Sequence, residues 1–545
     1  MAEMTGGDAV VTTLLAHGVS TLYCLPGVQS DHLFNAVHDA GGALRVVHTR
    51  HEQGAAYMAL GAAMATGRPA VYSVVPGPGF LNSTAALATA YAVNAQVLCL
   101  AGQIPSSAIG KGHGQLHEIE GQLTILKQLT KWAERAATPA DAARLTAEAF
   151  RQLVSGRPRP VGVELPPDML AARGVVEIAK PLPPEAPPPI DQAALEKAAH
   201  RLNEAERPVI FIGGGAIEAG EELRRLAEQL GAPVVANRHG RGILDDRHDL
   251  VHAVPGGYEM WKDCDVVLAV GTRLQAPTLQ WGIDDRLTVI RVEIDPGEVE
   301  RIRKPDIAIL GDAKPVLAAL AAMIEARPAI AEARRRASRE LKARIAASIA
   351  DGVGPQLAFL QAIRDVLPDD GVLVEELTQV GYAARYAYET RRPRTLLSAG
   401  YQGTLGWGIP VALGAKHALG DKPVISISGD GGFMFNVQEL ASATRHRIPV
   451  AFVVFNDNAY GNVRRIQQEV HGNRVIASDL ANPDFPRLAE SFGIASARVR
   501  SPQELRTALE KALGSGEPHL IEVPVGDMPS PWPFIHMQRI RGKTK

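Results

Sequence analysis

Short, mostly apolar runs of five or six residues recur along this chain, each followed by an amphipathic stretch of ten or more. Leu44–His48, Ala70–Val75 and Gln96–Ala101 are early examples, Val209–Gly213, Val266–Val270 and Val289–Ile294 lie in the middle, and Val424–Ser428, Val450–Phe455 and His519–Val523 come late. A run of this length bounded by helical periodicity predicts a buried parallel strand and its crossover helix. Repeated from end to end, the pattern restricts the chain to α/β layers, with helices on both faces of mostly parallel sheets.

Two breaks divide the pattern. Residues 180–190 hold six prolines in eleven positions, which favours an extended linker. The second break lies in 328–356, where Ala331 to Ala350 has helical spacing with a basic face (Arg334, Arg335, Arg336, Arg339, Lys342, Arg344), read as a solvated linker helix that ends in Asp351-Gly352-Val353-Gly354-Pro355. Three segments follow, 1–178, 190–328 and 356–545, each expected to be a doubly wound parallel-sheet domain. The 545-residue length agrees with three or four domains at roughly 100–200 residues each.

Lys+Arg 57 against Asp+Glu 59 leaves a net charge of −2 with no long basic stretch, so no nucleic-acid partner is expected. Three cysteines in no metal-ligand spacing argue against disulfides or zinc. No secretory signal is visible, and no apolar run reaches the ~18 residues of a spanning helix; a cytoplasmic protein without membrane contact is the expectation. Glycine alone is out of line, at 52 residues.

The most informative glycines follow Val424–Ser428, in Gly429-Asp430-Gly431-Gly432. Such a strand end delivers a carboxylate to the carboxyl edge of a sheet, where open α/β folds bind ligands, and the glycines leave N–H groups free for an anion. A capping-box-like Asn436-Val-Gln-Glu439 opens the next helix, and the following strand ends in Asn456-Asp457-Asn458-Ala459-Tyr460-Gly461. If the two strands are neighbours, Asp430, Asp457 and a carbonyl near Ala459 can share one hard cation, with diphosphate oxygens completing a Mg²⁺ shell. Gly429-Asp430-Gly431 alone could equally be a turn. In the first segment Glu52 follows Leu44–His48 and opens a small-residue helix, although Thr49-x-x-Glu52 also reads as a capping box.

Gly429-Asp430-Gly431, twenty-four intervening residues and Asn456-Asp457 resemble the cofactor motif of thiamine-diphosphate (ThDP) enzymes. His51-Glu52-Gln53 through Gly61 resembles the catalytic-glutamate helix of the acetolactate-synthase-like and 2-oxo-acid decarboxylase group. Pro76-Gly77-Pro78-Gly79 with Asn82, Thr130-Lys131-Trp132 and Gly403-Thr404-Leu405-Gly406-Trp407-Gly408-Ile409-Pro410 continue the match in order. The two motifs stand about 380 positions apart, and the resemblance spans essentially the whole chain. It implies a pyrimidine-binding domain, a central Rossmann-like domain and a diphosphate-binding domain. Asp430, Asp457 and the Ala459 carbonyl would hold Mg²⁺, although Asn is usual where Asp457 stands. Glu52 would protonate the aminopyrimidine so that the ylide forms, the Gly403 carbonyl would meet its amino group, and Leu405 would bend the cofactor. Thr378, Gln379, Gly429, Gly431, Gly432, Tyr460, Gly461 and Asn462 would bind the diphosphate.

The resemblance also implies ylide attack on a 2-oxo acid, decarboxylation and then carboligation. Val28 and Val75 stand where simple decarboxylases carry acids or a histidine, which favours ligation; with Phe80 and His113 they would line the substrate pocket. His117 and Glu118 could supply a substitute proton relay. Arg273, Asn462 and Arg464 are further contacts for a carboxylate or acceptor. The alternatives are a non-ligating 2-oxo-acid decarboxylase, a lyase of the 2-hydroxyacyl-CoA or oxalyl-CoA type, and, from a different class, a non-catalytic nucleotide-binding regulatory relative. A homodimer would be the minimum unit and a homotetramer is common. Ile212-Gly213-Gly214-Gly215-Ala216 lacks the full dinucleotide fingerprint, so FAD or ADP in the central domain is not supported, and Asp295 is expected to cap the helix that begins at Pro296. Pro529 to His536 would fold over the active-site mouth, the alternative being a disordered end.

Overall fold

The structure is a computed structural model, described here for residues 1–542. Three six-stranded sheets, parallel throughout, follow one another along the chain, with one short antiparallel pair, Ala2–Thr5 on Arg173–Val176. The apolar runs form their central strands, buried at nearly every position because helices cover both faces.

The first and third sheets share one winding order. Counting strands within each, both run 2-1-3-4-6-5. In the first, strand 1 is Thr21–Cys24, strand 2 Arg45–His48, strand 3 Ala70–Val74 and strand 4 Val97–Gly102. In the third they are Val372–Glu375, Leu396–Ser398, Val424–Gly429 and Ala451–Asn456. Chain direction reverses its winding between strands 1 and 3, which opens a crevice at the carboxyl edge of each sheet. The central sheet runs 3-2-1-4-5-6, the order of dinucleotide-binding folds.

The first and third layers are joined by the helices that follow their second strands. Glu52–Thr66 and Gly408–Leu419 are built from small residues and buried almost all round, and the core they form is continuous with both sheets. Loss of solvent contact on every face is what their near-uniform apolarity requires.

Two expectations need correction. The helix from Pro328 does not stop at 351–355; it runs to Val366, with its break confined to a kink at Val353 (φ −139°, ψ 35°) two residues before Pro355. Nor is its basic face simply solvated. Arg334 donates to the carbonyls of Ala205, Glu206 and Leu230, Lys342 to that of His248, and Arg339 pairs with Asp249 at 3.0 Å, which clamps the helix onto the central layer. The 529–536 tail is ordered. Gln356 Nε2 donates to Pro529 O, Trp532 packs 4.9 Å from the Tyr382 ring, and buried Arg541 is tied to Trp261 O and Asp284 of the central layer. Residues 180–190 are without helix or strand, as their prolines predict. All three cysteines are free and buried. No helix among the described residues is long and apolar enough to cross a membrane.

Candidate active site

Strands Val424–Gly429 and Ala451–Asn456 are hydrogen-bonded neighbours, so Asp430 and Asp457 leave adjacent positions on the same carboxyl edge. The two carboxyl groups interact. Burial raises both above the usual carboxylate range, and the added charge of Asp430 helps to bring Asp457 to about 6, while Arg464 pulls it down. A divalent cation between the two carboxylates would offset the cost of burying their like charges together. Asp457 Oδ1 accepts the N–H of Ala459 at 3.2 Å, which folds the loop back, and a Cβ on Gly461 would stand only 2.3 Å from Asp457 Oδ2. Among the described residues no group of three or more His, Cys, Asp or Glu is placed to hold a metal. A cation here therefore needs backbone and external oxygens as well as the pair.

Those external oxygens have a place. A cavity of about 340 Å³ opens beside Asp457, lined by Thr378, Gln379, Gly461, Arg464 and Arg465 among others. Two nine-residue helices, Gln379–Ala387 and Gly461–Glu469, begin at this cavity, and neither has a side-chain cap. Unspent N–H groups and the positive end of the helix dipole suit an anion. Arg465 braces the wall, donating to Gln379 Oε1 at 3.2 Å and to Met528 O at 2.6 Å. Asn462 accepts from Trp532 Nε1 at 2.6 Å, so the tail does reach this mouth. Paired carboxylates beside an anion cradle fit a metal-bound diphosphate.

Leu405 lies half-buried above this floor; a Cβ on Gly432 would be 3.6 Å from its Cδ2. Gly403 takes a left-handed φ of 56° in the same loop. The loop is held from beneath by Glu376, which sequence reasoning missed: its carboxylate accepts the N–H of Gly406 at 2.6 Å, that of Gly408 at 3.1 Å and Ser428 Oγ at 2.9 Å. Asn482 was missed as well; its amide donates to Asp430 Oδ2 at 2.6 Å. The second of two adjacent glutamates at a strand end and a lone asparagine far along the chain carry no local signal for either contact.

In the first layer Glu52 starts its helix, half-buried, and accepts from Asn82 Nδ2 at 3.0 Å. The capping-box alternative fails. The N-cap is His51, whose Nδ1 accepts the N–H of Gln53, while Thr49 N–H is spent on Cys24 O in continuation of the strand pairing. Asn436 does not cap either; it donates to Gln53 Oε1 and Gly406 O, bridging the two layers. Val28 is exposed and Val75 buried at the strand 1/strand 3 crevice of the first sheet, where a Cβ on Gly27 would meet Val75 Cγ1. Phe80 is fully buried in the core, so its side chain packs the layer and is not presented to a substrate. His113, His117 and Glu118 sit on a surface loop. Glu118 accepts the N–H groups of Gly112 and Gln115, which hold it below the usual carboxylate range, and His117 has a left-handed φ of 68°.

Arg273 is drawn away from the diphosphate cradle, to Glu298 at 3.4 Å and over the Tyr401 ring at 4.9 Å. It lines a second cavity, about 1010 Å³, between the central layer and its neighbours. Asp295 caps the short helix Pro296–Val299 through Gly297 N–H and pairs with Arg157 at 3.5 Å.

Comparison with known proteins agrees with this geometry. Family models of the thiamine pyrophosphate enzymes match in sequence: the N-terminal TPP binding domain at 4–125, the central domain at 195–320 and the C-terminal TPP binding domain at 378–523. The chain is 36% identical to a probable 2-ketoarginine decarboxylase of Pseudomonas aeruginosa, over 94% of this chain and 92% of that protein. It is 34% identical to a probable acetolactate synthase large subunit of Methanocaldococcus jannaschii (95% and 92%), and 30% identical to the large subunit of acetolactate synthase isozyme 3 of Escherichia coli (94% and 93%).

Proposed function

Because this chain belongs to the thiamine pyrophosphate enzymes, we propose that it binds ThDP through Mg²⁺ and uses it to decarboxylate a 2-oxo acid and ligate the product to a second carbonyl. The observation that carries the reading is the Asp430–Asp457 pair on adjacent strands, set beside two uncapped helix starts. Held there, ThDP would supply a nucleophilic carbon and an electron sink for the decarboxylation of a 2-oxo acid.

The chain's residues divide the remaining work. Asp430, Asp457 and the Ala459 carbonyl hold the cation. Thr378, Gln379, Gly429, Gly431, Gly432, Tyr460, Gly461 and Asn462 take the diphosphate. Leu405 and the Gly403 carbonyl orient the rings, and Glu52 exchanges a proton with the pyrimidine nitrogen. Val28 and Val75 offer no proton to the carbon that loses CO₂, which favours transfer to a carbonyl over release as an aldehyde. His113, His117 and Glu118 are the candidates for a proton path. The active unit is at least a homodimer, with a homotetramer as its larger form, each site combining the first layer of one copy with the third layer of the other. A decarboxylase without ligation is the second reading, favoured by the name of the Pseudomonas relative.

Turnover of a panel of 2-oxo acids with ThDP and Mg²⁺, with and without an added aldehyde or second 2-oxo acid, tests this. CO₂ together with a hydroxyketone product supports ligation. Aldehyde alone supports the second reading, and failure to bind ThDP with Mg²⁺ rejects both.

A further inference from the structure

The Glu439 carboxylate is completely buried, yet it belongs to neither the metal pair nor the diphosphate cradle. It stands at the end of the single turn Val437–Glu439, in the third layer, and reaches across to the first. Its two oxygens both accept the N–H of Arg50 at 3.2 Å, and Oε1 also accepts the N–H of His51 at 3.1 Å. Ser442 Oγ donates to Oε2 at 2.5 Å. Arg50 and His51 are the two residues immediately before Glu52. The fit is close: a Cβ on Gly54 would lie 2.4 Å from Glu439 Oε1, so glycine at 54 is what lets the carboxylate in.

Burial raises the Glu439 pKa, and the Arg50, His51 and Ser442 donors oppose that rise. A buried carboxylate is tolerated only when its lone pairs are met by such donors. Here the donors are backbone groups at the very start of the Glu52 helix, so satisfying the carboxylate also fixes the chain entering that helix. Asn82 then fixes the outer end of the Glu52 side chain at 3.0 Å.

We propose that Glu439 is a positioning residue for Glu52, setting the height at which its carboxyl is presented by gripping the backbone at 50 and 51. The proposal rests on the reading of Glu52 as the acid that exchanges a proton with the cofactor.

Three variants test it: Glu439→Gln, Gly54→Ala, which crowds the same carboxylate from the other side, and Glu52→Gln as reference. Amide hydrogen exchange is first read at Arg50 and His51 in protein without added cofactor; about tenfold faster exchange is expected in E439Q, the equivalent of one weakened hydrogen bond. In the ThDP- and Mg²⁺-loaded protein, E439Q and G54A are expected to keep cofactor affinity within about threefold while cofactor C2–H exchange slows roughly ten- to a hundredfold, the scale of a small misplacement. The double variant should lose no more than the worse single one, because both act on one contact. Wild-type C2–H exchange in E439Q, with a loss in E52Q, overturns the positioning role alone. A parallel loss of cofactor affinity and exchange in E439Q overturns it too, in favour of a merely structural role. Wild-type exchange in E52Q overturns the assignment of Glu52, and the positioning role with it.

Discussion

Gly61 and Gly414 are reciprocal. A Cβ on Gly61 would stand 2.1 Å from Val411 O, and one on Gly414 would stand 1.9 Å from Met58 O. The helices that follow strand 2 in two equally wound sheets thus cross backbone to backbone. That contact brings the Glu52 layer against the layer of Asp430. Gly414→Ala is expected to lower stability by about 1–3 kcal/mol through overpacking, measured as a fall in denaturant midpoint with unchanged m-value. Gly354→Ala, with nothing within 4 Å of its Cβ position, is the control expected to stay near wild type.

The carboxylate pair predicts different outcomes for its members. Asp430→Ala removes a buried carboxylate and, with the proposed metal role, is expected to lose Mg²⁺ and ThDP affinity together, by about a hundredfold or more if one charge-assisted contact to a cation is worth ~3 kcal/mol. Asp457→Asn keeps an oxygen in place and is expected to retain binding within about tenfold. Titration calorimetry with ThDP at fixed Mg²⁺ separates them.

Glu376 makes stability depend on pH. Burial, opposed by the Gly406, Gly408 and Ser428 donors, carries its pKa from an ordinary 4.5 to about 7. Between those values the folded chain binds the extra proton, so stability falls as pH rises from about 4.5 to about 7 and is level above it. Glu376→Gln is expected to remove up to about 3 kcal/mol of that slope, read as denaturant midpoints of both proteins between pH 5 and 7.5. An unchanged slope would reject the assignment.

Glu52→Gln is expected to keep ThDP and Mg²⁺ affinity and to slow C2–H exchange of the bound cofactor by roughly 10²–10⁴, the usual worth of a positioned acid. Proton-exchange kinetics by NMR, taken alongside calorimetry, read both halves of that statement.

Much of the framework is legible in the residues. Val266–Val270 is a strand with the boundaries its apolar run predicts, and the other runs shift by one residue at most at either end. These are local signals, since period and β-branching act within a few residues. The misreadings also have local causes. Thr49-x-x-Glu52 and Asn436-x-x-Glu439 both have capping-box spacing, yet Glu52 turns to Asn82 and Glu439 to the backbone of another layer. Asp351-Gly352-Val353-Gly354-Pro355 has every mark of a helix end, and packing of Val353 and Ile349 into the third core carries the helix through it.

The sequence by itself determined the three α/β layers and put carboxylates at 52, 430 and 457 at strand and helix ends, because hydrophobic period and glycine loops are written within short windows. Tertiary structure alone decided which groups meet those carboxylates. Asn482 reaches Asp430, Glu376 supports the Leu405 loop and Glu439 holds the approach to Glu52 across 388 positions of chain. Each is a buried polar group whose partner is fixed by which layers stack, and no spacing rule in the chain encodes that choice.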